Sequence, residues 1–246
     1  MIVTIKQLSK SYGQQTVLDH VSVTLQGGKI YGLIGKNGVG KSTFLNCLSN
    51  VTKANVEEVY LNNEKISLSD ATWKRDVGFV SDMVPLIDEF TIQEYLTFVG
   101  TIYRVSESDI LLRAQELYNF FFEDLSLSAN KKHLKSFSTG MLKKAQIISS
   151  VIHKPSILLL DEPFSGLDTV TCGKLISFIK YYSTPDTIII FTTHDIEYHR
   201  SLATDFLVLD ATHLISHLDF ESLDSSYFIS DISNEQMQNQ LSFKSL

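Results

Sequence analysis

Cysteine is nearly absent: Cys47 and Cys172 are the only two among 246 residues. Two widely separated cysteines exclude a disulfide scaffold and give no thiolate cluster for a metal, so both are expected as core thiols in a reducing compartment. Proline is scarce, at four residues. Charged residues reach 20% against 43% apolar ones, which excludes a disordered chain. Excess positive charge is missing too. A formal net charge of −7 argues against a general nucleic-acid binder, whose affinity comes from Lys and Arg. The start Met1-Ile2-Val3-Thr4-Ile5 has no basic region or cleavage site, and no apolar stretch approaches the ~18 residues needed to span a bilayer. The expectation is a soluble, cytosolic globular chain.

What is present is an alternation of short apolar runs with helical patterns. Strands are expected from Ile2 to about Ser9, over Thr16 to Leu25, Lys29 to Ile34, Val59 to Leu61 and Val77 to Val80, with Asn62-Asn63 in a turn. A helix is expected over Ser42 to Ser49. Thr91 to Tyr103 and Ser106 to Phe122 read as amphipathic helices, each opened by a hydroxyl residue with an acid close behind. A third spans Ser138 to Ile152. Beyond it, strands Ile157–Leu160, Thr187–Phe191 and Phe206–Leu209 alternate with helices Val170–Tyr181 and Ile196–Leu202, the pattern of a parallel sheet. Helices inserted at about 83–152 form a helical subdomain. From Asp219 to Leu246 the chain is polar, with five acids against Lys244 alone, so it carries −4 of the −7. It is expected as a solvated or docking tail.

Three stretches carry chemistry. Gly35-Lys36-Asn37-Gly38-Val39-Gly40-Lys41-Ser42-Thr43 contains G-x-x-x-x-G-K-[ST] between a strand and a helix. Glycines let successive N–H groups turn inward around phosphate oxygens, and the helix adds its positive end. Lys41 reaches the terminal phosphates and Ser42 offers a hydroxyl to Mg²⁺. A nucleoside triphosphate follows. The second stretch, Ile157-Leu158-Leu159-Leu160-Asp161-Glu162, ends an apolar strand in two acids at the carboxyl edge of the sheet, where α/β proteins bind ligands. Asp161 suits the metal and Glu162 suits an attacking water. Alone this is weak, since every strand must end in something polar. Beside the phosphate loop it reads as hydrolytic. His194, after Phe191-Thr192-Thr193, closes the next strand on the same edge. A lone histidine is more often structural, but here it could bond the γ-phosphate or the water.

Taken together, these motifs resemble the ATP-binding cassette family of transporter ATPases over roughly residues 2–218. Further matches follow the family's order: Phe137-Ser138-Thr139-Gly140-Met141 at the signature, Ser165-Gly166-Leu167-Asp168 at the D-loop, His194 at the switch histidine and Tyr12 at the aromatic that stacks on adenine. The resemblance implies an α/β fold with a P-loop NTPase (RecA-like) parallel core, an N-terminal antiparallel β subdomain and the helical insertion. It implies ATP and Mg²⁺ as ligands, and a head-to-tail dimer with Ser138 and Gly140 capping the partner's γ-phosphate. The partners are an integral-membrane permease and a like or unlike cassette, with no nucleic acid, on the cytoplasmic face of the cell membrane. In two places the chain departs from the pattern. Asp82 stands where the family has a loop Gln; its carboxylate can ligate Mg²⁺ but adds negative charge near the triphosphate. The signature ends Ser-x-Gly-Met, followed by Lys143 and Lys144, which is similar to exporters of drugs, peptide antibiotics and lipid-linked cargo. Lys131, Lys132, Lys135, Lys143 and Lys144 are expected as a solvated basic face. A soluble cassette ATPase acting on nucleic acid or ribosomes is the alternative, opposed by the charge and the lack of a heptad run. A GTPase is opposed by the absence of Asn-Lys-x-Asp.

Overall fold

The computed structural model describes residues 1–123 and 126–210, together with the backbone of 215–219. The tail expected after Asp219 therefore lies outside the described residues.

Two sheets organise the chain. In the first, the long strand β1 (Ile2–Tyr12) pairs antiparallel with β2 (Gln15–Leu18), β3 (Val23–Gln26) and β5 (Val56–Leu61), and β5 forms a hairpin with β6 (Glu64–Ile66). Asn62 and Asn63 make that hairpin's turn with φ of 50° and 71°. The run expected as one strand from Thr16 to Leu25 is two. β2 pairs with the far end of β1 and β3 with its start, so the chain must step across between them. Val21 keeps the apolar alternation through the step, because its backbone exchanges two 3.0 Å bonds with Leu8.

The second sheet holds β4 (Ile30–Ile34), β7 (Val77–Val80), β8 (Ile157–Leu160), β9 (Ile188–Phe191), β10 (Asp205–Leu209) and β11 (Ile215–Asp219) in the order β11-β10-β4-β9-β8-β7. Only β11 runs antiparallel. The strands β8 and β9 are wholly apolar because both faces are covered. Leu158, Leu160, Ile189 and Phe191 join one core, and Ile157, Leu159, Ile188 and Ile190 join the other. Parallel sheets require this two-sided cover.

The second of these cores includes α1 (Lys41–Leu48), whose last carbonyl, that of Leu48, accepts a 2.7 Å bond from the Trp73 indole of α2 (Ala71–Asp76). The first includes α3 (Ile92–Ile102), α4 (Glu107–Phe122) and α5 (Thr139–Val151), so the inserted helices share the sheet's own core and do not enclose a separate one. Their starts follow the expected chemistry. Thr91 and Glu94 form a reciprocal capping box on α3, and Ser106 and Ser138 cap α4 and α5. α6 (Thr169–Tyr182) and α7 (Ile196–Leu202) complete the layer. Cys47 and Cys172 are free and buried. Among the described residues no helix is long and apolar enough to cross a membrane.

Candidate active site

The site forms where β4, β8 and β9 end on one edge. After Ile34 the backbone turns through the loop 35–40 into α1, and Gly40 is the N-cap with φ 118°. No L side chain fits there: a Cβ on Gly40 would stand 3.1 Å from Val17 Cγ1 and 3.2 Å from the Val17 carbonyl. β2 thus presses on the loop and closes it onto the start of α1. No acid occupies the first turn of α1, so the helix itself sets no carboxylate against its positive end. Lys41 folds back over the loop, its Nζ donating to the Gly35 carbonyl and, at 3.3 Å, to that of Lys36.

Asp161 and Glu162 follow β8. Asp161 is 9% exposed; its N–H donates to Val80 O, and its Oδ1 accepts from Ser42 Oγ at 3.2 Å and from Thr192 Oγ1 at 2.8 Å. Glu162 is held at φ 49°, a left-handed conformation that costs a non-glycine residue about 1–2 kcal/mol. Its N–H donates to Thr192 Oγ1 at 2.9 Å, and its Oε1 lies 3.3 Å from His194 Nε2. Burial pushes the Glu162 carboxyl above the ordinary carboxylate value. His194 opposes the shift, the neighbouring Asp161 charge adds to it, and Lys41 opposes it. The His194 segment is itself anchored. Buried His199 on α7 bonds the Thr193 carbonyl through Nε2 at 3.1 Å, and burial lowers its pKa to about 4, so the ring is neutral at pH 7.

These residues enclose a cleft of about 360 Å³ lined by Asn37, Gly38, Gly40, Lys41, Ser42, Thr43, Asp161, Glu162 and His194. The expected phosphate loop, acid pair and histidine are therefore together. A helix start, glycine backbone and Lys41 suit a polyanion, and the hard oxygens of Ser42 and Asp161 suit Mg²⁺. Among the described residues no group of three or more His, Cys, Asp or Glu could hold a metal.

Other expected residues lie outside the lining. Tyr12, 51% exposed, ends β1 in the β1–β2 hairpin, with Lys10 Nζ 4.8 Å from its ring centroid. Ser138 caps α5 by accepting from Met141 N–H at 3.3 Å. Gly140 is packed so closely on the D-loop that a Cβ would stand 2.8 Å from Gly166 O. Asp168 caps α6 with both oxygens, one on the Thr171 N–H and one on its hydroxyl, each at 2.8 Å; those bonds hold its carboxyl below the usual range. Asp82 does not join the cleft.

Instead, Asp82 Oδ1 lies 2.6 Å from Lys143 Nζ. This corrects the reading of Lys143 as part of a solvated face, since its side chain is 3% exposed against 73% for Asp82. Lys143 falls on the same side of α5 as Ile147, one turn on, and is turned inward with it, so its ammonium needs a counterion. The two ends of the pair are therefore unequal. Asp82→Asn leaves a buried cation without its counterion and should cost about 1–3 kcal/mol, whereas Lys143→Met leaves only an exposed carboxylate and should cost less. Urea denaturation of the two variants checks the order; a greater loss in Lys143→Met contradicts it.

Sequence reasoning missed Thr192. Its hydroxyl touches both acids, yet the only local signal is the Thr192-Thr193 doublet after an apolar strand, and the contact depends on how β8 and β9 align.

A family model described as ABC transporter matches residues 18–165. Lantibiotic transport ATP-binding protein SrtF of Streptococcus pyogenes is 32% identical over 205 residues, covering 82% of this chain and 84% of that protein. Linearmycin resistance ATP-binding protein LnrL of Bacillus subtilis is 27% identical over 211 residues, covering 86% and 67%. Import ATP-binding proteins match as well. Among solved structures, the dimeric post-hydrolysis state of the ATP-binding cassette MJ0796 bound to ADP and Pi superposes with a TM-score of 0.76 at 25% identity, covering 90% of this chain and all of that one.

Proposed function

Since the chain belongs to the ABC transporter family, as an ATP-binding subunit with ATPase activity, we propose that its cleft holds the triphosphate of Mg²⁺-bound ATP and that Glu162 is the hydrolytic base. One observation carries this reading: Lys41, Ser42, Asp161, Glu162 and His194 line a single cleft at the start of α1.

Each residue does what its position allows. The N–H groups of Gly38 and Gly40 and the start of α1 bind phosphate oxygens, and Lys41 neutralises the terminal phosphates. Ser42 Oγ and Asp161 would hold the metal; bound Mg²⁺ supplies neutralisation of charge on the phosphate oxygens. Glu162, its carboxyl raised by burial toward neutrality, accepts a proton from the attacking water. His194 orients that carboxylate across 3.3 Å. The exposed Tyr12 ring stacks on the adenine.

Ser138 and Gly140, at the N-terminal end of α5, are not among the residues that line the cleft. We read that arrangement as half of a composite site. The signature of a second cassette caps the γ-phosphate, as in a head-to-tail dimer, and hydrolysis removes the charge that joins the copies. The separation drives a membrane permease on the cytoplasmic face. Export of a peptide-antibiotic or drug-like cargo is favoured by the Ser-x-Gly-Met signature and by the printed functions of the lantibiotic and linearmycin relatives.

Mixing two inactive variants tests the composite site. Lys41→Ala keeps an intact signature and Ser138→Arg an intact phosphate loop, so their mixture should regain hydrolysis that neither shows alone. A mixture as inactive as its components contradicts a shared site.

A further inference from the structure

The acid pair is bonded by a residue that does not itself line the cleft. We propose that Thr192 is a positioning residue for hydrolysis: one buried hydroxyl that ties the carboxylate of Asp161 to the backbone of Glu162.

The placement follows from strand register. β8 and β9 run parallel with Leu160 opposite Phe191, so the residues that follow them, Asp161 and Thr192, emerge side by side. The Thr192 N–H extends the ladder by donating to Leu160 O at 2.9 Å, which fixes its backbone. A β-branched side chain has a restricted χ1, so its Oγ1 direction is largely set once the backbone is set. That oxygen makes two bonds of opposite polarity. Its O–H donates to Asp161 Oδ1 at 2.8 Å, and its lone pair accepts the Glu162 N–H at 2.9 Å. A hydroxyl can do both at once, and a methyl group in its place can do neither. Thr192 is 1% exposed, so water does not compete for either bond.

The second bond matters because of the conformation of Glu162. At φ 49° this residue is in a region that a free chain rarely visits, and the conformation persists only where the surroundings enforce it. The Thr192 bond grips the Glu162 amide in that conformation, which aims the carboxylate at His194, 3.3 Å away. The first bond, with that of Ser42, sets the angle of the Asp161 carboxylate. Base and metal-facing acid are thereby kept at one spacing by a buried group that is not among the residues lining the cleft.

This inference rests on the hydrolytic reading above, and the test separates the two. Thr192→Val preserves shape and β-branching but lacks the hydroxyl. Its kcat should fall by about 10- to 100-fold, a larger change than the rise in KM for Mg²⁺-bound ATP. Thr192→Ser, which restores the oxygen, should recover most of the loss. If Thr192 acts through Glu162, then adding Thr192→Val to Glu162→Gln should change the residual rate by less than about twofold, because the group it positions is already disabled. A measurement independent of turnover is the affinity for a fluorescent ATP analogue with and without Mg²⁺. Thr192→Val should narrow the gain in affinity that Mg²⁺ brings, through Asp161, and leave the Mg²⁺-free affinity unchanged. An unaltered kcat in Thr192→Val, or an equal loss in the parent and in the Glu162→Gln background, overturns the inference. Full turnover in Glu162→Gln alone would overturn the hydrolytic reading itself, whatever Thr192 does.

Discussion

Replacing Glu162 with Gln should slow ATP hydrolysis by about 10²–10⁴, equivalent to about 3–5 kcal/mol of barrier, while ATP binding is retained. Gln keeps the shape of the side chain and its reach to His194, so what is lost is the proton acceptor. The same change should stabilise the ligand-free protein at neutral pH. Burial raises the Glu162 carboxyl in the folded state, so the fold favours its protonated form. The stability it contributes is complete at low pH and is lost as pH rises through the raised value. A Gln does not titrate, so the variant should exceed the parent in thermal midpoint at pH 7–8 and converge with it in acid. The parent's kcat should fall over the same interval as pH is lowered, because the base becomes protonated there. Steady-state hydrolysis and thermal unfolding across pH check both statements. An unchanged rate would remove Glu162 from the chemistry, and a constant gap in midpoint would remove the buried-carboxylate explanation.

Replacing Lys41 with Ala should cost both binding and turnover. A charge-assisted contact to phosphate contributes about 1.5–3 kcal/mol, so ATP affinity should fall by about 10- to 150-fold. Turnover should fall further, because the lysine also meets charge that develops on the phosphate during transfer, where one donor is worth about 10²–10³. In the folded chain the Lys41 ammonium bonds the loop's own carbonyls, at Gly35 and Lys36, while the residue lines the cleft. Equilibrium binding of ATP together with phosphate release separates the two losses. Affinity equal to the parent's would mean that the glycine backbone and the start of α1 hold the phosphates without it.

Much of this site was legible in the sequence because its parts are local. A glycine loop between a strand and a helix, and apolar strands that stop at an acid pair or a histidine, each declare themselves within ten residues. Helix starts were equally plain, since Thr91, Ser106 and Ser138 satisfy N–H groups only three residues away. β6 and α2 gave no periodic signal: three residues with a single apolar one, and one turn and a half whose only buried side chain is Trp73. The step between β2 and β3 was hidden because Val21 stays in phase across it. The remaining surprises depend on pairs distant in the chain. Lys143 resembles any helix-surface lysine until Asp82, 61 residues away, is brought to it. Thr192 becomes significant only when β9 lies against β8, 31 residues from the acid it holds. Asp168 shows the reverse case. Its place in the D-loop suggested a nucleotide contact, and both its oxygens cap α6.

Light scattering coupled to size exclusion, performed on Glu162→Gln with Mg²⁺ and ATP, asks most directly whether the triphosphate joins two copies of this chain. The variant should run as a dimer carrying one ATP per protomer, return to monomer when ADP replaces ATP, and fail to dimerise when Ser138→Arg is added. A monomer that nonetheless retains its ATP, or a dimer indifferent to the nucleotide, would contradict the account.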